Sequence, residues 1–535
     1  MRSQQMFFPT AERAFAERLS RYVYLNPFFH PEAEVRYREL MSVDVDLGKA
    51  EAVLPEWSFP DRPGNAPLLR RVVAVIESAL ARCATGEVNF DEQDVRLYDD
   101  LLMFALYFRF RDELGQLETA HGRKVAESFR RFQAVYVAYG KVPFALEPHL
   151  QDCAHVFACL VQMRRAFICI ESLLRGSSRP AARLRAAVWN SVCPHEMRLY
   201  GQVLFDRMHD VTTLILGPSG TGKELVAAAI GLSRFIPFDI RKLRFTEDFG
   251  GSFHAVNLAA LSRDLIESEM FGHCAGAFTG AVKDRAGWFE LCQPRHSVFL
   301  DEIGELDHAV QVKLLRVLHS REFHRVGETE PRRFHGKMIA ATNRNLGAEI
   351  SGGRFRQDLY FRLCSDVIHT PSLREQLDDS PDDLPVLVEL VASRCLGEKA
   401  TLEHLEWLSR LTVSWIERSP ELGLGYAWPG NFRELEQCVR NVMVRGEYHP
   451  LAIPRELPVL NSVSSAALTP LDKFVDAVRR SSLSFDELLE QYCSLVFARS
   501  GNVAEAARRL EKHRATIQSR VRPELVVGFG GQLQD

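Results

Sequence analysis

The sequence predicts an α/β protein in which a parallel sheet with crossover helices is flanked by helical regions on both sides. Between residues 186 and 370, short apolar strand-like runs alternate with helical patterns such as that of residues 306–319. This alternation is typical of βα units that bury a parallel sheet. The strand-like runs are Thr213–Leu216, Ser297–Leu300 and Met338–Ala341.

Three further segments have helical patterns, and a fourth has the composition of a linker. Residues 1–185 carry apolar side chains at helical spacings and few glycines or prolines after about residue 70, which predicts an all-α N-terminal domain. Residues 371–448 and residues 484–535 are predicted to be helical for the same reason. Residues 449–483 contain several prolines and serines, and this composition favours a linker.

Length and composition exclude several classes of protein. At 535 residues the chain is too long for one hydrophobic core, so we expect several domains. Hydrophobic residues make up 46% and charged residues 25%, which excludes a disordered chain. The net charge of −4 provides no general basic field, so any contact with DNA has to be local.

The cysteines and the apolar runs indicate the compartment. The 11 cysteines include no C-x-x-C pair, which argues against a disulfide scaffold or a zinc ribbon and favours a reducing cytoplasm. No apolar signal segment follows Met1, and the longest apolar run, Leu101–Phe108, is shorter than the roughly 20 residues of a membrane helix. We therefore expect a soluble cytoplasmic protein without membrane contacts.

A glycine-rich turn follows the first strand-like run and has the spacing of a phosphate-binding loop. Its glycines let backbone N–H groups and the N-terminus of the next helix approach an anion, and Lys223 adds a positive charge. Glu224 stands where most such loops carry a metal-binding Ser or Thr, so the loop does not supply the usual hydroxyl ligand. The loop comprises Gly217, Pro218, Ser219, Gly220, Thr221, Gly222, Lys223 and Glu224.

Polar residues end the other two strand-like runs. Asp301, at the end of a buried strand, can hold Mg²⁺ directly or through water, and the adjacent Glu302 can polarise an attacking water. Asn343 ends the third run and is expected to lie next to the same phosphates. A carboxylate pair that merely caps a strand is common, but beside a phosphate-binding loop these residues favour a site for ATP and Mg²⁺.

A glycine-flanked hexapeptide lies between these motifs and carries a resemblance to a known family. Its two glycines make a mobile tip that exposes one aromatic ring and one hydroxyl, which suits a contact with a partner. Together with the phosphate-binding loop and Asp301, it resembles the sigma-54-dependent transcription activators, the NtrC-like bacterial enhancer-binding proteins, which are AAA+ ATPases. The resemblance is close over residues 190–445 and looser over 484–525. The hexapeptide, the loop with which that family touches sigma-54, is Gly276, Ala277, Phe278, Thr279, Gly280 and Ala281.

The resemblance implies roles for the residues around the nucleotide. Lys223 would bind the phosphates, Asp301 would hold Mg²⁺, and Glu302 would activate the attacking water. Asn257 resembles the residue that holds the catalytic glutamate in an inactive position.

Four more matches involve the far side of the nucleotide and a neighbouring subunit. Asn343 would be sensor I, and Arg433 would be sensor II in a helical lid over residues 371–448. Arg356 and Arg362 match the two arginines that reach the nucleotide of the next subunit. For each of these two arginines a surface salt bridge is the alternative.

Residues 484–535 predict a small DNA-binding unit. An amphipathic helix over 486–497 precedes Val503–Leu510 and a second helix from about Arg514. Residues 499–522 contain seven Lys or Arg and two Glu, which gives a local net charge of +5. The unit resembles the Fis-type helix-turn-helix, and a solvated charged hairpin is the alternative. The resemblance implies DNA contacts from Arg514, Thr516, Gln518, Ser519 and Arg520.

Two parts of the chain have no match in the resemblance. Residues 1–185 lack the features of a response-regulator receiver and are predicted to be a signal-input or oligomer-control domain. Within them, the spacing of Cys153, His155 and Cys159 does not converge on one helix face, so we interpret these residues as packing rather than as metal ligands. Residues 235–252 are longer than the usual connection in the family, and the sequence suggests no role for them.

Taken together, these features predict an ATP-hydrolysing transcription activator. The C-terminal unit would bind upstream DNA, the AAA+ domains would form a homo-oligomeric ring, expected to be a hexamer, and the hexapeptide would remodel sigma-54 RNA polymerase holoenzyme. One alternative is an AAA+ remodeller of another protein, and the intact Phe278 and Thr279 speak against it. The other is a DNA-binding repressor without ATP turnover, which the intact Glu302, Arg356 and Arg362 disfavour.

Overall fold

The computed structural model describes residues 5–29, 31, 33–41, 65–117, 122–251, 253–397, 399–422, 425–450, 474, 478 and 484–529. The chain divides into two compact units, Met1–Pro450 and Leu451–Asp535. Almost all of the predicted linker, residues 449–483, lies outside the described residues. The other predicted domain bounds remain predictions.

Most described residues up to 161 form a helical bundle around one aromatic-rich core, whereas residues 166–193 are buried in a second core together with residues of the α/β domain that follows. Phe15, Leu101, Phe132 and Phe157 are among the buried side chains of the first core. The bundle is helical as predicted, apart from one parallel pairing of two-residue strands, β1 with β2. The elements up to residue 202 are β1 (Gln5–Met6), α1 (Thr10–Val23), α2 (Ala33–Met41), α3 (Asn65–Thr85), β2 (Val88–Asn89), α4 (Glu92–Gln116), α5 (Arg123–Tyr139), α6 (Cys153–Leu173), α7 (Arg179–Val192) and α8 (Met197–Gln202).

Local sequence explains where two long core helices, α4 and α6, begin. The Asp91 carboxylate caps α4 by accepting from the Asp94 N–H group, and the Asp94 carboxylate accepts from the Asp91 N–H group. Asp152 caps α6 by accepting from the N–H groups of Ala154 and His155. Helix α6 is long and apolar enough to cross a membrane, but 67% of its most apolar window is buried inside the protein. Its composition therefore fits a central core helix.

The middle of the chain is an α/β domain with three short hairpins at its periphery. The predicted strand-like runs are β3, β9 and β12. The elements are β3 (Thr213–Leu216), α9 (Lys223–Leu232), β4 (Phe238–Asp239), β5 (Arg244–Phe245), β6 (Phe253–Asn257), α10 (Arg263–Phe271), β7 (Gly272–His273), β8 (Arg285–Ala286), α11 (Trp288–Leu291), β9 (Ser297–Asp301), α12 (His308–Ser320), β10 (Glu322–Phe323), β11 (Arg332–Arg333), β12 (Lys337–Thr342), α13 (Leu346–Ser351), α14 (Gln357–Leu363) and β13 (Asp366–His369).

Five of these strands form one parallel sheet in the order β13-β3-β12-β9-β6. Its central strands are buried on both faces, as is expected of a parallel sheet covered by helices. Because all five strands run in the same direction, their carboxyl ends meet along one edge. Ligands bind at this edge in open α/β sheets, so a ligand site is expected at the segments that follow β3, β6, β9 and β12.

A helical lid follows the sheet, as the sequence predicts. Its core contains Leu373, Leu387, Leu408 and Leu435, one from each helix. The helices are α15 (Leu373–Asp379), α16 (Asp383–Leu396), α17 (Leu402–Arg418) and α18 (Asn431–Arg445).

The second unit contains four helices around a small core within residues 484–529. Ser484 begins the first with a capping box that involves Glu487, and Asn502 caps the second. Phe497, Ala506 and Ile517 are buried among the first three helices. These helices are α19 (Phe485–Ser500), α20 (Val503–Arg509), α21 (Arg514–Arg520) and α22 (Pro523–Gly528).

Candidate functional site

The phosphate-binding loop connects β3 to α9, and its backbone requires glycine. Gly222, immediately before α9, has a left-handed backbone with φ of 85°. Gly220 has φ of 78°, and a Cβ atom there would lie 2.3 Å from the carbonyl oxygen of Gly430 in the lid. No side chain fits at that contact, so a glycine at 220 lets the lid approach the loop.

Lys223 is the first residue of α9 and points back into the loop. Its Nζ atom donates to the carbonyl oxygens of Gly217 (3.1 Å) and Pro218 (3.2 Å). Burial lowers the pKa of the Lys223 ammonium, whereas the nearby Glu302 and Asp301 carboxylates raise it. The loop thus holds a buried cation beside a helix N-terminus, which is an arrangement that binds phosphate.

The two carboxylates predicted from the sequence lie at the end of β9, opposite this cation. Burial raises the pKa of Asp301, the Glu302 carboxylate adds to the rise, and Lys223 opposes it. Glu302 has φ of 58° and ψ of 50°, a left-handed conformation that is uncommon for residues other than glycine. Strain of this kind is often found at functional sites.

Asn343 contacts Glu302, but Asn257 does not hold it by a described hydrogen bond. The backbone N–H of Asn343 donates to Glu302 Oε2 at 3.1 Å. The side chain of Asn257 instead accepts from the N–H of Ala259 at 3.0 Å and so caps the short turn that follows β6. The register pairs Asn257 with Asp301, so the residue lies at the predicted edge while its amide is turned away to the turn. Its predicted role stays a prediction.

The lid closes on the loop through the first residues of α18. Asn431 Nδ2 donates to the carbonyl oxygen of Ser219 (3.0 Å), and the N–H of Phe432 donates to that of Gly220 (3.0 Å). Arg433 Nη1 donates to Ser219 Oγ at 2.9 Å. The predicted lid arginine therefore lies beside the predicted phosphate-binding loop.

A cavity of about 310 Å³ brings these residues together. Its polar end contains Lys223, Asp301, Glu302 and Arg433. Its apolar end is formed by other residues, which the sequence analysis missed: Leu174, Ala181, Leu184, Leu387 and Val391. The lining also includes Arg175, Gln376, Arg394 and Glu436. A cavity lined by both charged and apolar side chains fits a molecule that has phosphates and a flat base.

The missed residues come from two places that are distant in sequence. Leu174, Ala181 and Leu184 follow the helical bundle in sequence, within the segment predicted to be the N-terminal domain. The loop before α7 is tied to the lid because the Asp383 carboxylate accepts from the N–H groups of Ser177 and Ser178. No local pattern in residues 173–184 distinguishes them from other helical sequence.

The carboxylates of the cavity suit Mg²⁺ that is bound together with phosphates. Among the described residues, no group of three or more His, Cys, Asp or Glu is arranged to hold a metal ion by itself. Mg²⁺ is usually bound by one or two carboxylates and the substrate phosphates, with water completing the shell. Asp301 fits this pattern because a cation would relieve the repulsion between its carboxylate and that of Glu302.

Arg356 and Arg362 lie on the surface, away from this cavity. Neither is among the described residues that line it. Arg356 forms a bidentate pair with Asp358, with Nε–Oδ1 and Nη2–Oδ2 distances of 2.9 and 2.6 Å. Arg362 is exposed on α14, and its neighbour Phe361 is 63% exposed. A partly exposed arginine, an exposed arginine and an exposed aromatic ring fit a contact surface better than an internal role.

The glycine-flanked hexapeptide is the tip of the hairpin formed by β7 and β8. Gly276 and Gly280 have φ of 81° and 105°, and the N–H of Gly276 donates to the carbonyl oxygen of Ala281 at 2.8 Å. Thr279 is exposed. Phe278 is only 40% exposed because its ring packs edge-on against His273, with a centroid distance of 5.0 Å.

A second hairpin, residues 322–333, supports this tip. The N–H of Cys274 donates to the carbonyl oxygen of Val326 (3.0 Å), and the N–H of Val326 donates to that of Gly272 (2.9 Å). Glu290 anchors the second hairpin through a bidentate pair with Arg325 and a further bond to Arg332. The tip is therefore a supported projection with an exposed hydroxyl at its end.

In the second unit, the predicted DNA-contacting residues all belong to α21. Arg514, Thr516, Gln518 and Ser519 are exposed. The Arg520 guanidinium is bound to Asp486 on α19 at 2.6 Å. Ile517, between these residues, is buried in the core of the unit and holds α21 in place.

Comparisons with known proteins show a family and several relatives of this chain. Residues 197–369 match the family described as "Sigma-54 interaction domain". The chain is 36% identical over 355 residues to the transcriptional regulatory protein ZraR of Klebsiella oxytoca. The aligned region covers 65% of this chain and 72% of ZraR. It is 40% identical over 260 residues to the Nif-specific regulatory protein of Enterobacter agglomerans, which covers 49% of this chain and 45% of that protein. It therefore spans about half the length of that second relative.

Two further likenesses extend the comparison. The DNA-binding transcriptional regulator NtrC of Rhizobium meliloti is 38% identical over 293 residues, 55% of this chain and 54% of NtrC. Among solved structures, NtrX from Brucella abortus in complex with ADP aligns over 87% of this chain and 98% of its own, at 20% identity and a TM-score of 0.37.

Proposed function

Because the chain belongs to the sigma-54-dependent transcription activators, we propose that it hydrolyses ATP in the cavity between the sheet and the lid and uses the energy to remodel sigma-54 RNA polymerase holoenzyme. The observation that carries this proposal is the polar end of the cavity, where Lys223, Asp301, Glu302 and Arg433 meet. A buried cation, a carboxylate pair and an arginine from a separate subdomain are the groups that phosphoryl transfer requires.

Each residue has a role in that chemistry. Lys223 and the loop N–H groups bind the phosphates, and Asp301 holds Mg²⁺, which would supply charge neutralisation for the γ-phosphate. Glu302 accepts a proton from the attacking water, and its bond to the Asn343 N–H orients the carboxylate. Arg433 couples changes at the phosphates to the position of the lid, because it belongs to α18 and contacts Ser219 of the loop.

The proposal includes a ring of subunits, with six subunits expected. Arg362 is exposed, Arg356 is partly exposed, and neither lines its own cavity, so in a head-to-tail ring they reach the nucleotide of the next subunit. There they stabilise the negative charge that develops on the γ-phosphate. The pair between Arg356 and Asp358 keeps the guanidinium extended at the surface in the single chain.

The second unit binds DNA upstream of a promoter in this proposal. Helix α21 is short and basic, and its exposed polar residues fit the recognition helix of a helix-turn-helix. Arg514, Thr516, Gln518 and Ser519 face the DNA, and Arg520 is held by Asp486 at the edge of that face. All of these reactions take place in the cytoplasm, where DNA, ATP and RNA polymerase meet.

The test of the proposal is Thr279→Ala, which separates ATP hydrolysis from its mechanical use. Thr279 lies at the exposed tip of the first hairpin, outside the nucleotide cavity, so ATPase activity should stay within about threefold of the wild type. Sigma-54-dependent open-complex formation should fall by two orders of magnitude or more, because the loop loses the hydroxyl that contacts sigma-54. Both rates are measured on the same preparation.

The matched control is Ser320→Ala, which removes an exposed hydroxyl from the end of α12, away from the tip. It should leave both rates unchanged. Normal transcription by Thr279→Ala would contradict the sigma-54 contact and favour a different protein target, and loss of both activities would mean that the hydroxyl serves the fold.

A further inference from the structure

A second cavity lies where the helical bundle meets α7 and α8, apart from the nucleotide cavity. Its volume is about 130 Å³. Its walls come from the end of α1, from α4 and α6, and from residues 189–201. Aromatic side chains form much of the wall, including Phe104, Phe108, Phe167 and Trp189.

A buried ring nitrogen of the wall forms no hydrogen bond and has only a long contact with a carboxylate. The His149 side chain is 8% exposed, and its Nδ1 atom forms no hydrogen bond with any described residue. Glu147 Oε2 lies 3.5 Å from Nδ1. Burial, together with repulsion by His155 and Arg198, lowers the pKa of His149 to about 4, so the ring is neutral at pH 7. A buried polar atom without a hydrogen bond is rare in native proteins and calls for a ligand or a water molecule.

The other polar groups of the wall already have partners. His155 Nε2 is 2.7 Å from the carbonyl oxygen of Gly201 and 3.6 Å from Cys159 Sγ. The Tyr24 hydroxyl donates to the Asp100 carboxylate. Arg164, the charged residue of the wall, has its guanidinium 5.5 Å from the centre of the Phe167 ring. His149 can therefore give the cavity hydrogen-bonding specificity.

We propose that this cavity binds a small uncharged molecule with one aromatic ring and one hydrogen-bonding substituent, which is directed at His149 Nδ1. An engineered apolar cavity of about 150 Å³ takes up benzene, so a cavity of about 130 Å³ has room for a single ring with a small substituent only if the wall adjusts slightly. An ionised ligand would have to lose its hydration shell among aromatic side chains, which disfavours it. Flat rings stack or pack edge-on against the aromatic wall.

The position of the cavity gives its occupant contacts on two sides. Met103 and Phe104 belong to the bundle, whereas Trp189, Met197 and Tyr200 belong to the segment that leads into β3. Helix α7 also packs against α9, the helix that begins with Lys223. The bound ring therefore lies between the predicted signal-input helices and the elements that carry the phosphate-binding loop.

Three probes test the proposal by calorimetric titration of the full-length protein. Benzyl alcohol has the ring and a hydroxyl, ethylbenzene has a methyl group in place of the hydroxyl, and benzoate has a charged group on the same ring. We expect saturable binding of one benzyl alcohol per chain, about 3- to 10-fold weaker binding of ethylbenzene, and no saturable binding of benzoate.

Two variants locate the site. His149→Leu should lower the affinity for benzyl alcohol about 3- to 10-fold and change that for ethylbenzene less than twofold, because only the hydroxyl contacts His149. Cys159→Phe should fill the cavity and abolish binding of both neutral probes. Its control is Cys83→Phe, which adds the same ring to the same bundle at a partly buried residue outside the cavity wall.

Several results would overturn the proposal. Absence of saturable binding by either neutral probe to the wild type would rule out this ligand class. Tighter binding of benzoate would show that Arg164 defines an anion site. If Cys159→Phe fails to fold, as judged by circular dichroism, the His149→Leu comparison decides: equal losses for both neutral probes would contradict the hydrogen bond.

Discussion

At Glu302, backbone and side chain are both held in place. The left-handed backbone is unfavourable for a residue other than glycine, and the carboxylate accepts a bond from the Asn343 N–H. Lys223 is close enough for these two charges to influence each other. A carboxylate that is fixed in position and stays beside the phosphate-binding loop is suited to activate water.

Glu302→Gln should separate ATP binding from hydrolysis. The amide keeps the size of the side chain but cannot accept a proton, so turnover should fall by about 10²- to 10⁴-fold. Lys223 and the loop remain, so ATP affinity should change less than about threefold. Steady-state ATPase assays and titration with a fluorescent ATP analogue measure the two quantities.

The control for that experiment is Lys223→Ala, which should lose nucleotide binding as well as turnover because it removes the buried cation. If Glu302→Gln also lost ATP binding, Glu302 would have to be reassigned as a binding group.

At the scale of elements, the hairpin of β4 and β5 explains residues 235–252. Phe238 lies 4.5 Å from Phe129 and 5.1 Å from Phe157, measured between ring centroids. Phe245 and Phe249 extend the same cluster, and the Arg165 guanidinium lies over the Phe249 ring. The hairpin thus extends from the α/β domain into the core of the helical bundle and joins the two.

Phe238→Ala should destabilise this junction. Removing a buried ring costs about 3–5 kcal/mol of the free energy of unfolding when the surroundings cannot collapse into the space. The midpoint of urea denaturation of the full-length protein, followed by circular dichroism, measures the loss. ATP affinity of the folded variant should be unchanged, since Phe238 is not among the residues that line the nucleotide cavity.

Phe361→Ala provides the matched control because the same ring is removed from a position that is 63% exposed. Its unfolding free energy should change by less than about 0.5 kcal/mol. Equal stability of the two variants would mean that the hairpin contributes little to the junction.

At the scale of the whole molecule, the proposed reaction needs more than one chain. Neither Arg356 nor Arg362 is among the described residues that line the nucleotide cavity of their own chain. Both arginines and Phe361 are at the surface. Activity should therefore depend on assembly and on protein concentration.

Mixing Arg356→Ala with Lys223→Ala should restore part of the ATPase activity that each variant lacks alone. In mixed rings some interfaces pair an intact phosphate-binding loop with an intact arginine from the neighbour. ATPase activity is measured across mixing ratios, with mixed assembly verified by differential tagging. Absence of recovery at every ratio would place Arg356 outside the active site of the neighbour.

Removing residues 451–535 should abolish specific DNA binding and spare ATP hydrolysis. The Met1–Pro450 unit holds the whole nucleotide cavity, so at high protein concentration its ATPase rate should stay within about threefold of the full chain. Electrophoretic mobility shifts on upstream DNA measure the loss of binding. Binding by the full chain should weaken steeply with salt, since several Lys or Arg contact phosphates. Specific binding by the shortened chain would move DNA recognition to the first unit.

Sequence alone predicted the features that are encoded within a few consecutive residues. The strands at 213–216, 297–300 and 338–341 agree with β3, β9 and β12 to within one residue at each end. Local spacing was enough to predict the phosphate-binding loop, Asp301 and Glu302. The loop has glycines where the backbone must approach an anion, and the two carboxylates follow a buried strand. The parallel direction of the strands then placed them along one edge.

Tertiary structure alone decided which distant residues meet. Nothing near Leu174 or Leu184 indicates that they form the apolar end of the nucleotide cavity, and the spacing of residues 235–252 does not show that Phe238 enters the helical bundle. The sequence predicted a role for Asn257 beside the catalytic glutamate. It did not predict that the Asn257 side chain accepts a hydrogen bond from the Ala259 N–H. The physical reason is that local patterns follow from the periodicity of helices and strands, whereas contacts between segments follow from packing, in which many apolar faces are chemically equivalent until the whole core is assembled.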